Sequence, residues 1–298
     1  MIEAREAARL FSSKEINSLA GGDLRFLIKV AERYADVWGD SFSVSDVFER
    51  CYEDIGMNYK FEYYIKNLII EKILLGRHSL NTSTLLSEFR VGASRADCVV
   101  LNGVSTCYEI KSEYDSVARL ADQLDSYLKL FDRVYVVTSE CHVSKVEKIS
   151  PEAVGILKLG RKDALSEVRP AQDSPAEVDV DMMMASLRKP EYLSMVKDLC
   201  GNIPDSSNFD IYADCLTQLR KFDSTTLRTA FCRTLKHTRK ADRDFLEAVP
   251  KGLLAAGFEY SIPTARKARL LDLLNVQISK DTLCTTQFLK GNGTSSAQ

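Results

Sequence analysis

The chain has 298 residues, 45% of them hydrophobic and 28% charged, with a formal net charge of -2. That composition supplies apolar side chains for packed cores and argues against disorder, while near-neutral charge gives no whole-chain case for a polyanion partner. No stretch has the apolar length of a membrane span, and MIEAREAARLF lacks a basic-then-apolar leader, so a cytoplasmic protein with no membrane association is expected.

Length favours about two domains. From Asp23 to Tyr34, Leu24, Leu27, Ile28 and Ala31 recur on one helical face, with Asp23 placed to cap it. SFSVSDVFERCYEDI begins with serines suited to an N-cap. These helices make an N-terminal segment, 1–58, expected to pack on the domain that follows. A longer helix is predicted from Tyr59 to Leu75 with an apolar stripe through Ile65, Ile69 and Ile73, and Gly76 is placed to stop it.

Beyond that helix the spacing changes to short β-type runs. LLSEFRV, RADCVVL and VSTCYEIK are predicted strands, joined as antiparallel hairpins at Gly92-Ala93-Ser94 and Asn102-Gly103. A helix from Ser116 to Phe131 and the apolar run RVYVVTS imply a crossover to a buried strand. GILKLG and LSEVRPA extend the sheet to Pro170. The expectation for 59–170 is therefore an α/β domain with a mixed central β-sheet flanked by helices.

RPAQDSPAEVDVD has the composition of a linker, over 171–181. A helical C-terminal domain follows at 182–286, with helices expected at Met182–Leu199, Asp210–Lys221, Thr225–Thr238, Ala241–Ala256 and Pro263–Ile278. Residues 287–298 are expected to be a disordered tail. Residues 182–298 carry 17 Lys or Arg against 12 Asp or Glu, a mild basic excess that ordinary solvated helix faces explain equally well. The eight cysteines show no Cys-x-x-Cys spacing and read as reduced core residues. His78, His142 and His237 are isolated and read as structural, and there is neither a P-loop nor a serine-hydrolase elbow.

One constellation carries chemistry. Glu109-Ile110-Lys111 ends a strand, and alternation sets Glu109 and Lys111 on the face opposite Tyr108 and Ile110. Asp97 begins the preceding strand, so the hairpin register decides whether it joins them. A two-residue Asn102-Gly103 turn would pair Asp97 with Tyr108 and put the two acids on opposite faces. A three-residue Leu101-Asn102-Gly103 loop, with Gly103 left-handed, pairs Asp97 with Cys107 and makes it a same-face diagonal neighbour of Glu109. Two carboxylates and the Ile110 carbonyl then suit Mg²⁺ or Mn²⁺, which take oxygen ligands. Such an ion activates water and neutralises phosphodiester charge, with Lys111 orienting the water or stabilising transition-state charge. The same three residues also read as exposed salt bridges on an edge hairpin. On the following helix, Gln123 and Tyr127 are four apart and share a face, where they read as contacts to nucleic acid or to the site, or as ordinary filler.

Taken together, SRADCVVLNG, CYEIKSE and ADQLDSY resemble the PD-(D/E)XK nuclease superfamily, in its RecB-like branch with a Gln-x-x-x-Tyr motif. The resemblance covers about 59 to 140 and departs from the motif at Ala96, where its name has proline. It implies a restriction-endonuclease-like core, catalytic roles for Asp97, Glu109, Lys111, Gln123 and Tyr127, and DNA as substrate. It also implies an acidic residue on the first helix. Glu62 is the first choice for that further metal ligand, with Glu71 and Glu88 as alternatives. Arg90 and Arg95 flank the Gly92 turn, where they could grip phosphate or pair with Glu88 or Asp97.

The expected activity is thus Mg²⁺-dependent DNA hydrolysis, in repair, mobile-element biology or phage defence. The helical C-terminal domain would serve substrate binding, regulation, self-association or a protein partner. The alternative is a non-catalytic module that keeps the nuclease fold to bind nucleic acid or protein.

Overall fold

The computed structural model describes residues 2–76 and 80–283; His78, Cys284 and the 287–298 tail lie outside them. Strands are numbered along the chain: β1 (Ser41–Ser43), β2 (Thr84–Val91), β3 (Ser94–Leu101), β4 (Ser105–Lys111), β5 (Arg133–Ser139), β6 (Gly155–Leu159), β7 (Leu165–Arg169) and β8 (Gln277–Ser279). Six of them form one mixed sheet in the order β2-β3-β4-β5-β6-β7. The first two pairings are antiparallel, β4-β5 and β5-β6 are parallel, and β6-β7 is antiparallel. Both hairpins, the crossover through helix Leu120–Leu128 and the extension of the sheet follow the predicted order. Helix Val143–Ile149, which makes the β5-β6 crossover, is an addition to the elements that the sequence spacing predicts.

The chain divides into two units, residues 68–241 and the described residues of 1–67 with 242–283. This differs from the expected division into a 59–170 core and a separate 182–286 helical domain. Phe231, on helix Ser224–Thr238, packs edge-on to Phe89 of β2 at 6.1 Å, and Phe89 meets Phe131 at 6.0 Å. Met183, Met195 and Leu235 join the same buried cluster as Val99 and Val134 of the sheet. The apolar stripes of these helices are legible, but the surface they cover is decided only by packing.

The segment expected as a linker has neither helix nor strand as far as Asp179, and it is fastened to the unit. The Ser174 N–H donates to the Asp132 carbonyl at 2.7 Å, and its hydroxyl to the Leu128 carbonyl at 2.6 Å. The Arg228 guanidinium donates to the carbonyls of Leu128 at 3.0 Å and Ala176 at 2.7 Å. Its proline and small residues mark irregular backbone, not freedom.

Several predicted helices are shorter or divided. Met182–Leu199 is two helices, Val180–Ser186 and Lys189–Cys200, broken at extended Leu187 and Arg188 because Pro190 has no N–H and its ring would clash with the carbonyl four residues back in a continuous helix. Pro250 divides the 241–256 prediction in the same way. Pro263–Ile278 is a helix over Thr264–Leu274 followed by β8, which pairs with β1. The Tyr59–Leu75 helix is α-helical over Glu62–Ile69 and continues as a π-helix over Ile70–Leu75. Cys51, Cys98, Cys107, Cys215 and Cys232 are buried as expected, whereas Cys141 is exposed. Among the described residues no helix is long and apolar enough to cross a membrane.

The serine-led start of helix Val44–Asn58 is a capping box. The Asp46 N–H donates to Ser43 Oγ at 3.0 Å, and the Ser43 N–H donates to Asp46 Oδ2 at 2.6 Å. Ser43→Ala is therefore expected to cost about 1 kcal/mol, read as a lower urea midpoint at unchanged slope.

Candidate active site

The hairpin condition is met by a loop one residue further on than expected. Leu101 pairs with Ser105, so the three loop residues are Asn102, Gly103 and Val104, and Gly103 takes the left-handed conformation at φ 109°. The regular ladder runs from that pair to Cys98↔Tyr108. Continued by one step, it would set Asp97 directly across from Glu109, where the expectation was a diagonal. At that point the Ile110 N–H donates to Asp97 Oδ2 at 2.6 Å, a side-chain carboxylate standing where a ladder carbonyl would be.

Glu109 and Lys111 share a face, as alternation requires. On the opposite face Tyr108 stacks on Tyr135 with ring centroids 5.6 Å apart. Glu109 is 1% exposed and receives three donors. Lys111 Nζ and Gln123 Nε2 each reach Oε1 at 2.6 Å, and the Tyr127 hydroxyl reaches Oε2 at 2.9 Å. Gln123 and Tyr127 stand on helix Leu120–Leu128, one turn apart. The Tyr127 hydroxyl also lies 2.8 Å from the Arg95 carbonyl, tying helix, β3 and β4 together. After Lys111 the chain turns sharply: the Ser112 N–H and hydroxyl both bond Asp115 Oδ2, at 2.9 and 2.6 Å. The Lys111 carbonyl accepts from Thr138 Oγ1 at 3.1 Å, which holds the strand end against β5.

The electrostatics place both acids in one neighbourhood. Burial, then the charges of Glu109 and Asp97, push the Cys107 thiol well above its ordinary range. The Tyr127 hydroxyl is pushed up by burial and by Cys107, Glu109 and Asp97, so it stays protonated as a donor.

Glu88 adds a feature that sequence periodicity did not reveal. It adopts a left-handed conformation at φ 54°, rare for a residue with a Cβ, and its carboxylate comes within 4.8 Å of that of Asp97. The inward-facing set changes parity here: Leu86 and Phe89 both enter the core, as do Val99 and Ala96. The flanking pairs Ser87↔Cys98 and Phe89↔Ala96 keep one register, so the left-handed Glu88 turns the strand without inserting a residue. No glycine or asparagine marks the position.

The remaining predicted residues are placed as follows. The Arg95 guanidinium is exposed, 3.7 Å from the Glu88 carboxylate, so it pairs with Glu88 in the manner of its second sequence reading. Arg90 is its cross-strand partner and donates from Nε to the Gly92 carbonyl at 3.4 Å. Glu71 falls in the π-helix. Glu62 opens helix Glu62–Ile69 in the other unit, where Lys66 Nζ stands 3.3 Å from its carboxylate.

With this geometry in view, comparison with known proteins places the chain. The family described as "Bacteriophage P4 protein cII" matches residues 56–255, two thirds of the chain. The chain belongs to that family. "Protein cII" of Enterobacteria phage P4 is 27% identical over 194 residues, covering 62% of this chain and 70% of the phage protein. A solved structure, "SPO1766 protein of unknown function from Silicibacter pomeroyi", aligns at 18% identity and a TM-score of 0.28, over 42% of this chain and 87% of its own. All of Asp97, Glu109, Lys111, Gln123 and Tyr127 lie within the cII-family match.

The donor chemistry of this cII-family chain fits a hard divalent cation. Asp97 and Glu109 could supply carboxylate oxygens to one, and the Ile110 carbonyl projects to the same side of its strand as the N–H that meets Asp97. A carboxylate has about four acceptor sites. Three donors on Glu109 therefore leave one, on Oε2.

Proposed function

We propose that this cII-family chain is a divalent-metal-dependent DNA nuclease of the PD-(D/E)XK type, with Asp97, Glu109 and Lys111 as its catalytic group. One observation carries the reading. Lys111, Gln123 and Tyr127, from a strand and the helix after it, converge on the buried Glu109 carboxylate, while Asp97 closes on Ile110 from the neighbouring strand. Mg²⁺ or Mn²⁺, held by Asp97, Glu109 and the Ile110 carbonyl, would acidify a water and neutralise phosphodiester charge. Lys111 orients that water and stabilises negative charge in the transition state. Gln123 and Tyr127 fix the Glu109 rotamer, and Arg90 and Arg95 take phosphate contacts at the hairpin tip. DNA as the substrate rests on the superfamily resemblance, and kinship with a phage protein supports mobile-element biology over repair or defence. A cytoplasmic location and self-association or a protein partner through the helices after residue 180 complete the proposal.

A second reading is a non-catalytic module, favoured by the same near-complete saturation of Glu109, which by itself is a well-satisfied buried network. Labelled linear, circular and branched DNA incubated with Mg²⁺, Mn²⁺ or EDTA separates the two. Cleavage is expected with either metal, none with EDTA and none from Asp97→Ala. Cleavage that persists in both Asp97→Ala and Lys111→Ala sinks the site assignment. A folded wild type that binds DNA and cuts nothing supports the module.

A further inference from the structure

Lys111 is the last residue of β4, at a strand end, where ordered backbone ordinarily begins to fray. Its ammonium also rides on a flexible four-carbon stem. A group that orients an attacking water works only when held within about 0.5 Å of its productive position. Something beyond the Glu109 ion pair therefore has to fix the backbone from which Lys111 reaches out. Both polar atoms of the peptide that follows Lys111 are held by side chains. Thr138, the register partner of Lys111 on β5, donates from Oγ1 to the Lys111 carbonyl at 3.1 Å. The Ser112 N–H donates to Asp115 Oδ2 at 2.9 Å, and the Ser112 hydroxyl donates to the same oxygen at 2.6 Å.

The turn beyond Lys111 is closed in return. The Asp115 N–H donates to the Ser112 carbonyl at 3.2 Å, and the Tyr114 N–H donates to Ser112 Oγ at 3.3 Å. Ser112 is buried, so water has little access to replace Asp115 as its acceptor. Thr138 is buried too, in an apolar strand beside Val136 and Val137. Valine has nearly the same shape, and a buried hydroxyl is unfavourable unless it is hydrogen-bonded. What threonine adds at this position is its bond to the Lys111 carbonyl, with a longer one to the Ser139 carbonyl at 3.4 Å. The three donors on Glu109 are Lys111, Gln123 and Tyr127, so Thr138 and Asp115 reach the site through the Lys111 backbone.

We infer that Thr138 and Asp115 are positioning residues for Lys111: by holding the peptide after it from both ends, they keep its ammonium on Glu109 Oε1 and beside the attacking water. The catalytic half of this inference rests on the nuclease reading. The geometric half, that the ammonium stays on Glu109 because the peptide is held, does not.

Two measurements on the full chain test it. Mg²⁺-dependent cleavage per folded molecule is expected to fall at least about tenfold in Thr138→Val and in Asp115→Ala, in kcat and with KM for DNA unchanged. Thr138→Ser keeps the hydroxyl and Asp115→Asn keeps an accepting oxygen, so each should recover most of the loss. Thr138→Val carries the test alone should Asp115→Ala fail to fold. The second measurement needs no cleavage. It follows the nitrogen-edited NMR signal of the Lys111 ammonium in metal-free protein, identified by its absence in the double variant Glu109→Gln with Lys111→Met. A buried ammonium bonded to a carboxylate exchanges slowly with water, so the signal should be present in wild type, broaden or vanish in Thr138→Val and Asp115→Ala, and return in Thr138→Ser. A wild type that cuts no DNA while the signal responds in this way removes the nuclease reading and leaves the positioning in place. Absence of the signal from wild type, a signal unmoved in both variants, wild-type kcat in both, a fall confined to KM, or a loss that serine and asparagine do not recover overturns the inference.

Discussion

Replacing Lys111 with alanine is expected to lower metal-dependent cleavage about 10²–10³-fold and to destabilise the fold by about 3–5 kcal/mol. Both effects come from one contact. Lys111 Nζ is 2.6 Å from Glu109 Oε1, and the two side chains are 10% and 1% exposed, so little water is available to replace the ammonium. Without it the Glu109 carboxylate keeps Gln123 and Tyr127 but loses its counter-charge. An unpaired buried charge costs more than the pair contributed. Urea unfolding in EDTA should show the loss, and Mg²⁺ should restore more stability to Lys111→Ala than to wild type, since a bound cation supplies the missing charge. The double variant Glu109→Gln with Lys111→Met separates structure from chemistry. Two neutral side chains of similar shape should recover most of the stability while cleavage stays absent. Cleavage by that double variant would show that Glu109 and Lys111 are not the catalytic pair.

The second large effect is expected at Glu191, in the same unit and outside the site. Arg239 holds this carboxylate from both sides, Nε to Oε1 and Nη2 to Oε2, each at 2.7 Å. The Arg188 N–H adds a third donor at 2.7 Å. Glu191 is 3% exposed in its side chain and Arg239 19%, and the guanidinium lies 5.1 Å from the centre of the Phe89 ring. The pair therefore fastens the end of helix Ser224–Thr238 to helix Lys189–Cys200, beside the core that Phe89 shares with Phe231. Glu191→Ala leaves the guanidinium without its carboxylate and should cost about 3–5 kcal/mol at neutral pH.

The pH dependence has a definite sign. Burial raises the Glu191 pKa, but the hydrogen bonds from Arg239 and Arg188 outweigh it, and the net position is below the ordinary value of 4.5. A folded-state pKa below the unfolded one makes its stabilisation complete above about pH 4.5 and lost as pH falls through the folded value. The stability gap between wild type and Glu191→Gln should therefore be constant near neutrality and shrink in acid. A gap that widens on acidification would contradict the assignment. Cleavage per folded molecule should be unchanged in Glu191→Gln, since neither partner touches the Glu109 network.

Local chemistry explains what was legible at the level of single elements. The serines of SFSVSD announce an N-cap, and alternation along CYEIK puts Glu109 and Lys111 on one face. Gly92 and Gly103 sit at left-handed turns, where a Cβ would be strained. Gln123 and Tyr127 share a helical face because they are four apart, so their meeting at Glu109 follows once the crossover is right-handed and the helix covers that face.

Three features lay beyond such reasoning. The loop that closes the hairpin is Asn102-Gly103-Val104, one residue later than expected, because register is a property of two strands and their turn together. Glu88 takes a glycine-like backbone conformation that neither its own chemistry nor its neighbours favour, and only the surrounding sheet holds it there. The helices after residue 180 looked like a domain of their own, since an apolar stripe records that a face is buried and not what buries it. By itself the sequence determined the six strands of the mixed sheet and the facing of Glu109 and Lys111, consequences of short-range periodicity, while the candidacy of Asp97, Gln123 and Tyr127 rested on the superfamily resemblance. The tertiary structure decided that Asp97 meets Ile110, that Glu88 approaches Asp97, and that Phe231 belongs to the core of the sheet. Each of those contacts joins residues whose separation along the chain carries no local signal.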